Sequence, residues 1–87
     1  MIIHFSHSNQ TIPAKVVFNF GQVSDVVLIM PDRIIDGLDE FILFYRLING
    51  KWHTSKLFYE SHPTTAKNLV HLLQPVFNIA EEKLKTA

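Results

Sequence analysis

The chain contains five histidines, which are the side chains used most often as metal ligands and as acid–base groups near neutral pH. His4 and His7 stand three residues apart at the end of a predicted strand, a spacing that sends their side chains to opposite faces. His62 and His71 are nine residues apart, whereas two ligands on one helical face are usually four apart. The spacing therefore predicts structural or solvated histidines and no metal site.

Other sequence patterns of catalysis are missing. The absence of cysteine excludes thiol nucleophiles and thiolate metal sites. Serine, histidine and aspartate occur without a Gly-x-Ser-x-Gly elbow, and the three isolated glycines exclude the clustered glycines of a phosphate-binding loop. The acidic residues between Asp32 and Glu40 lack the alternating ligands of a calcium loop, so they are interpreted as a hydrated surface loop. We expect no enzymatic activity and no cofactor.

A basic and aromatic cluster surrounds Asn49-Gly50, a dipeptide that favours a two-residue hairpin turn. The predicted strands 41–48 and 51–59 then pair Leu47 with Trp52, Arg46 with His53, Tyr45 with Thr54 and Phe41 with Phe58. The candidate ligand-binding residues are Tyr45, Arg46, Trp52 and His53, because rings on a sheet can stack on a planar ligand while cations hold an anion. The favoured alternative is that the two rings pack under a helix and the cations protect an edge strand.

The composition indicates one globular domain spanning residues 1–87. Hydrophobic residues make up 47% and charged residues 18%, which is typical of a chain that folds. Eight basic residues balance eight acidic ones, so nucleic acid is a disfavoured partner. No lysine or arginine precedes Lys15, and the longest apolar runs are five residues, so we expect a cytoplasmic protein with no targeting segment and no membrane partner.

Hydrophobic periodicity predicts the strands. Between Ile12 and Phe20 every second residue is apolar, as in a strand with one buried face. Ile2 to Ser6 is a shorter candidate strand that forms a hairpin with it across a polar stretch. Val23 to Met30 is the next candidate strand, and its residues 26–30 are apolar at consecutive positions, which favours a strand covered on both faces.

One C-terminal helix is predicted over residues 63–85, kinked at Pro75. Its core stripe lies within about 60° of Ala66 and comprises Ala66, Leu69, Val70, Leu73, Phe77, Ala80 and Leu84. A second apolar stripe of Leu72, Val76 and Ile79 lies to one side of it. Since one helix covers one sheet face, this stripe is the candidate partner-binding surface of a homodimer.

The sequence thus predicts an α+β fold, a curved antiparallel meander of about five strands followed by one C-terminal helix packed on the sheet. The expected function is a small cytoplasmic protein-interaction module that self-associates. A small-molecule pocket between helix and sheet, with Trp52 at its mouth, is the first alternative. A sheet face that binds single-stranded nucleic acid weakly is the second alternative.

Overall fold

The computed structural model of the chain describes residues 1–47 and 50–86, with side chains described through residue 82. Its five strands form one antiparallel sheet in sequence order. They are β1 (Ile2–His7), β2 (Gln10–Phe20), β3 (Ser24–Pro31), β4 (Ile42–Leu47) and β5 (His53–Thr54). The predicted α+β class and the five-stranded antiparallel meander are therefore confirmed.

Three helices follow the sheet in the described residues, so the prediction of one C-terminal helix is wrong. They are α1 (Lys56–Ser61), α2 (Pro63–Leu72) and α3 (Gln74–Thr86). Helix α1 lies where the sequence predicted a strand. The hydroxyl of Ser55 accepts a hydrogen bond from the Phe58 N–H at 3.3 Å, which caps the helix, and Phe58 alone in α1 is buried.

The C-terminal helical segment is divided at Leu73, where the sequence favoured one kinked helix over two. Pro75 has no N–H to donate to the preceding turn, so regular helical bonding is interrupted there. Backbone bonds still cross the junction, from the Leu73 N–H to the Leu69 carbonyl at 2.8 Å and from the Phe77 N–H to the Leu73 carbonyl at 3.0 Å. The apolar stripe consequently continues from α2 into α3.

The hydrophobic core lies between the helices and one face of the sheet. Strand residues that point into it include Ile3, Phe5, Ile12, Ala14, Val16, Val27, Ile29, Ile42 and Phe44. From the predicted helical stripe, Ala66, Leu69, Leu73, Phe77 and Ala80 are buried as expected. Val70 is 41% exposed and departs from the prediction, and the side chain of Leu84 lies outside the described residues.

The β4–β5 register differs by one residue from the predicted one. Tyr45 pairs with His53, and Phe44 pairs with Thr54. Because side chains alternate between faces, this shift places His53 beside Tyr45 and Trp52 on the face of Arg46. The predicted turn at Asn49-Gly50 includes Asn49, which lies outside the described residues.

The β1–β2 hairpin turns through two residues with positive φ, Ser8 at 49° and Asn9 at 61°. Helix α2 packs against β1, and its Asn68 side chain accepts a hydrogen bond from the Ser6 N–H at 2.8 Å. That N–H faces away from β2, so Asn68 satisfies a backbone donor on the edge of the sheet.

The turn geometry predicts the effect of glycine at Asn9. Since φ is positive there, Asn9→Gly should raise the free energy of unfolding by about 0.5 kcal/mol. The matched control is Asn19→Gly in the exposed part of β2, which should lower that free energy by about 0.5–1 kcal/mol. Urea unfolding followed by far-UV circular dichroism measures both changes in the free energy of unfolding. Changes of the same sign in the two variants would contradict the turn assignment.

Candidate functional site

A buried ion cluster joins the sheet to the last helix. Arg46 on β4 is 2% exposed, and its Nε donates to Oδ2 of Asp25 on β3 at 2.9 Å. Its Nη1 donates to Oε1 of Glu81 on α3. Burial alone would lower the pKa of Arg46, but hydrogen bonds with both carboxylates and their charges outweigh it, so the pKa is raised. Arg46 therefore stays cationic inside the fold.

Arg46 also contacts an aromatic stack. Its guanidinium carbon lies 4.9 Å from the centre of the Trp52 ring, a cation–π contact. Trp52 in turn stacks on Phe77 of α3, with ring centres 4.4 Å apart. Among the described residues, neither Nη2 of Arg46 nor Nε1 of Trp52 has a hydrogen-bond partner, although both atoms are buried. Two buried N–H donors, one on the guanidinium of Arg46 and one on the indole of Trp52, therefore have no partner among the described residues.

A cavity of about 510 Å³ adjoins this stack, between the sheet and the helices. Its volume falls within the range of small-molecule sites, which is about 300–1,000 Å³. Residues from β4, β5 and all three helices line it, together with Trp52: Phe44, Trp52, His53, Thr54, Lys56, Tyr59, Glu60, Ala66, Val70, Gln74, Phe77 and Glu81.

The structure divides the four predicted ligand-binding residues between two faces of the sheet. Arg46 and Trp52 lie on the helix side, in contact with each other. Tyr45 is 45% exposed on the opposite side, where its ring centre lies 5.7 Å from that of His53. Sequence reasoning missed Glu81 because its place in a charged C-terminal run suggested a solvated residue. Phe77 was recognised only as a core residue.

The face of the sheet opposite the helices is rich in accessible apolar groups, and we call it the open face. Its central row crosses three strands as Val17, Leu28 and Leu43, which are paired in register. Leu28 is half-buried, whereas Val17 is 44% and Leu43 39% exposed. Flanking rows contain Ile2, Lys15 and Met30 on one side and Asn19, Val26 and Tyr45 on the other.

The predicted helical surface of Leu72, Val76 and Ile79 is not one exposed stripe. Val76 is 1% exposed and belongs to the hydrophobic core. Leu72 is half-buried against the core, and Ile79 is 49% exposed. Ile79 is thus the one member of the three that is freely accessible.

The fold brings together two histidines that the sequence analysis treated separately. The ring centres of His7 and His62 lie 5.1 Å apart, and a hydrogen bond of 2.8 Å joins Nδ1 of His7 to Oγ1 of Thr65. His62 reaches the carbonyl of Gly37 through Nε2 at 2.8 Å. Burial, and secondarily the charge of His62, lowers the pKa of His7. No spacing rule reveals this pair, because its members belong to distant segments.

Within the described residues, no group of three or more histidine, cysteine or acidic side chains is placed to hold a metal ion. None of the described helices has the length and apolar character needed to cross a membrane. The chain matches no protein-family model, and comparisons with curated proteins and with solved structures likewise gave no match.

Removal of the buried guanidinium should destabilise the fold strongly. Arg46→Met leaves the carboxylate of Asp25 buried without this cation, so the free energy of unfolding should fall by about 3–5 kcal/mol. Arg33→Met is the matched control, since Arg33 pairs with Asp32 at the surface and should change stability by less than about 1 kcal/mol. Chemical denaturation measures the free energy of unfolding of both variants. Equal losses in Arg46→Met and Arg33→Met would contradict a structural role for the buried ion cluster.

The His7 environment predicts a pH-dependent stability. Because the folded-state pKa lies below 6.5, the unfolded chain binds more protons between that value and 6.5. The stabilisation is complete above about pH 6.5 and is lost as the pH falls toward the folded pKa. Thermal unfolding measures this effect. Between about pH 7.5 and about pH 5, the stability of His7→Gln should fall less than the stability of the wild type.

The control for that measurement is His71→Gln, since His71 is exposed on α2. This variant should keep the wild-type pH dependence. Besides His62, the charged side chains of Arg33 and Asp36 line a surface cavity together with His7. An unchanged pH dependence in His7→Gln would show that His7 is not its source.

Proposed function

We propose that this protein is a small, non-enzymatic cytoplasmic interaction module that forms a homodimer through the open face of its sheet. The observation that carries the proposal is the central row of Val17, Leu28 and Leu43, which exposes apolar side chains across three adjacent strands. Contiguous apolar surface of this kind is often a site of protein contact.

The charge of the open face favours a second copy of the chain as its occupant. Lys15 is the one formally charged residue in the three rows, so a highly charged partner would find little to pair with. A two-fold dimer needs a self-complementary surface, and an apolar face meets this need. With the two-fold axis along the central row, each Lys15 faces the Asn19 row of the other copy, which keeps the two ammonium groups apart.

The size of the face is also consistent with a dimer. The eight residues of β3 extend roughly 27 Å and four strands span roughly 19 Å, which gives a footprint of about 500 Å² per copy. Two copies would bury about 1,000 Å² in total, the lower limit of specific interfaces. We therefore expect a reversible dimer whose population depends on concentration.

The test is the absolute mass by light scattering over a range of concentrations. The wild type should approach 20 kDa, twice the chain mass of 10.0 kDa, as concentration rises. Leu43→Lys should remain near the monomer mass at all concentrations, because it introduces a charge into the central row. Far-UV circular dichroism should be unchanged, since Leu43 is 39% exposed.

Ile79→Lys is the matched control, because Ile79 is 49% exposed on the helical side of the molecule. It should dimerise like the wild type. Dissociation by Ile79→Lys with retention of the dimer in Leu43→Lys would assign the interface to the helices. A wild type that stays monomeric at every concentration would refute the proposal.

A further inference from the structure

We infer that the segment between β3 and β4, residues 32–41, is a strap that mild acid releases from the helices through the histidine pair His7 and His62. The strap is bonded to His62 in its closed state, and it detaches when both histidines carry a proton. His7 bonds to Thr65 of α2 and His62 lies against His7, so both rings are on the helix side of the sheet. The device is therefore separate from the open face proposed for dimerisation.

The strap has few buried contacts. Ile35 and Leu38 are half-buried and pack against the hydrophobic core. Between them, the carbonyl of Gly37 accepts a hydrogen bond from Nε2 of His62 at 2.8 Å. The other side chains of the strap are exposed: Asp32, Arg33, Ile34, Asp36, Asp39, Glu40 and Phe41. A segment with so little burial opens at a low free energy, so the loss of one anchoring bond changes how often it is open.

His62 anchors the strap from a position where its ring can turn. It is the C-cap of α1 and the N-cap of α2, and its side chain makes no capping hydrogen bond to α2. The ring is half-buried, with the ring centre of Phe58 of α1 at 5.9 Å. Because a carbonyl only accepts, Nε2 of His62 carries a proton in the bond to Gly37. Among the described residues the ring makes no second hydrogen bond that would hold it in place.

His7 is fixed, in contrast to His62. It is the last residue of β1, where it is 8% exposed and pairs with Gln10 of β2. Its Nδ1 lies 2.8 Å from Oγ1 of Thr65 on α2. The ring centres of the two histidines are 5.1 Å apart, with an angle of 73° between the ring planes. Repulsion between the two rings would therefore displace His62.

The surroundings of His7 make its protonation depend on His62. From the strap, Arg33 and Asp36 line a surface cavity with His7, and their charges are opposite. Burial is the larger cause that lowers the pKa of His7, and the charge of His62 lowers it further. A proton on one ring therefore disfavours a proton on the other. The residues of β2 and α2 that line cavities with His7 are neutral: Gln10, Thr11, Thr64 and Thr65.

Mild acid couples the two rings to the strap. At neutral pH burial keeps His7 uncharged, so the pair holds at most one proton. When both rings are protonated in acid, two like charges lie 5.1 Å apart. Turning His62 away relieves the repulsion and breaks its bond to Gly37. The strap then detaches, and the apolar side chains of Ile35 and Leu38 become accessible.

The experiment measures amide hydrogen exchange in the full chain by NMR at about pH 7.5 and about pH 5. Each protection factor is taken relative to an unstructured peptide at the same pH, which removes the direct effect of pH on exchange. The Leu38 N–H donates to the Ile35 carbonyl at 3.1 Å within the strap, so its protection factor reports closure. Val27, which is 0% exposed in β3, reports the sheet. Protection at Leu38 should fall at least about tenfold in acid, whereas Val27 should stay about a hundredfold better protected than Leu38.

One variant removes the proton site and a matched variant leaves it in place. His7→Gln keeps a polar side chain but cannot take up the proton, so its Leu38 protection should change by less than about twofold between the two pH values. His4→Gln is the control, because His4 lies on the same strand with an exposed side chain. This variant should lose Leu38 protection in acid as the wild type does.

A second measurement does not depend on the folding of His7→Gln. In the wild type, the pKa of His7 read from its ring signals by NMR should coincide with the midpoint of the loss of Leu38 protection. In His62→Gln the like charge is removed, so the pKa of His7 should rise. An unchanged pKa of His7 in that variant would overturn the inference.

Three other results would also overturn the inference. They are a constant Leu38 protection factor in the wild type, a loss of that protection in acid in His7→Gln, and a fall of Val27 protection to the level of Leu38, which is global unfolding. The mass measurement that tests the dimer is made at about pH 7.5, where the strap is closed. Failure of one proposal is therefore distinguishable from failure of the other.

Discussion

The buried guanidinium of Arg46 is the constraint on which the arrangement of sheet and helices depends. It links β4 to Asp25 on the neighbouring strand and to Glu81 on α3, and it lies over the ring of Trp52. A buried cation requires counter-ions in fixed positions, so α3 cannot shift along the sheet without losing Glu81. The same contacts position Trp52 against Phe77, and with them one wall of the cavity.

The sheet separates two surfaces of different character because its side chains alternate. On β4, Phe44 and Arg46 belong to the helix side, whereas Leu43 and Tyr45 belong to the open face. The cavity therefore adjoins one side of β4, and the apolar rows of the open face lie on the other.

Much of the fold could be predicted because burial imposes simple periods on the chain. Alternation along β2 and the helical stripe containing Leu69 and Phe77 identified the core and the α+β class. Local signals were weaker between residues 51 and 61, where apolar residues fit a strand as well as the short helix α1. The candidate site was harder to predict than the fold, because the one-residue register shift changes the face of the sheet on which Trp52 lies. The partners of Arg46 are tertiary neighbours that no local spacing indicates.

The hydrogen bond from the Ser6 N–H to Asn68 has a consequence for how copies of this molecule can assemble. Strand β1 is an outer strand of the sheet, and outer strands can recruit further strands through their unpaired backbone groups. Helix α2 lies against this strand, and Asn68 occupies one of its outward donors. Association by strand addition, which has no built-in end and leads toward fibrils, is thereby hindered at β1. In face-to-face contact, each copy buries its open face against one partner, so such an assembly is closed.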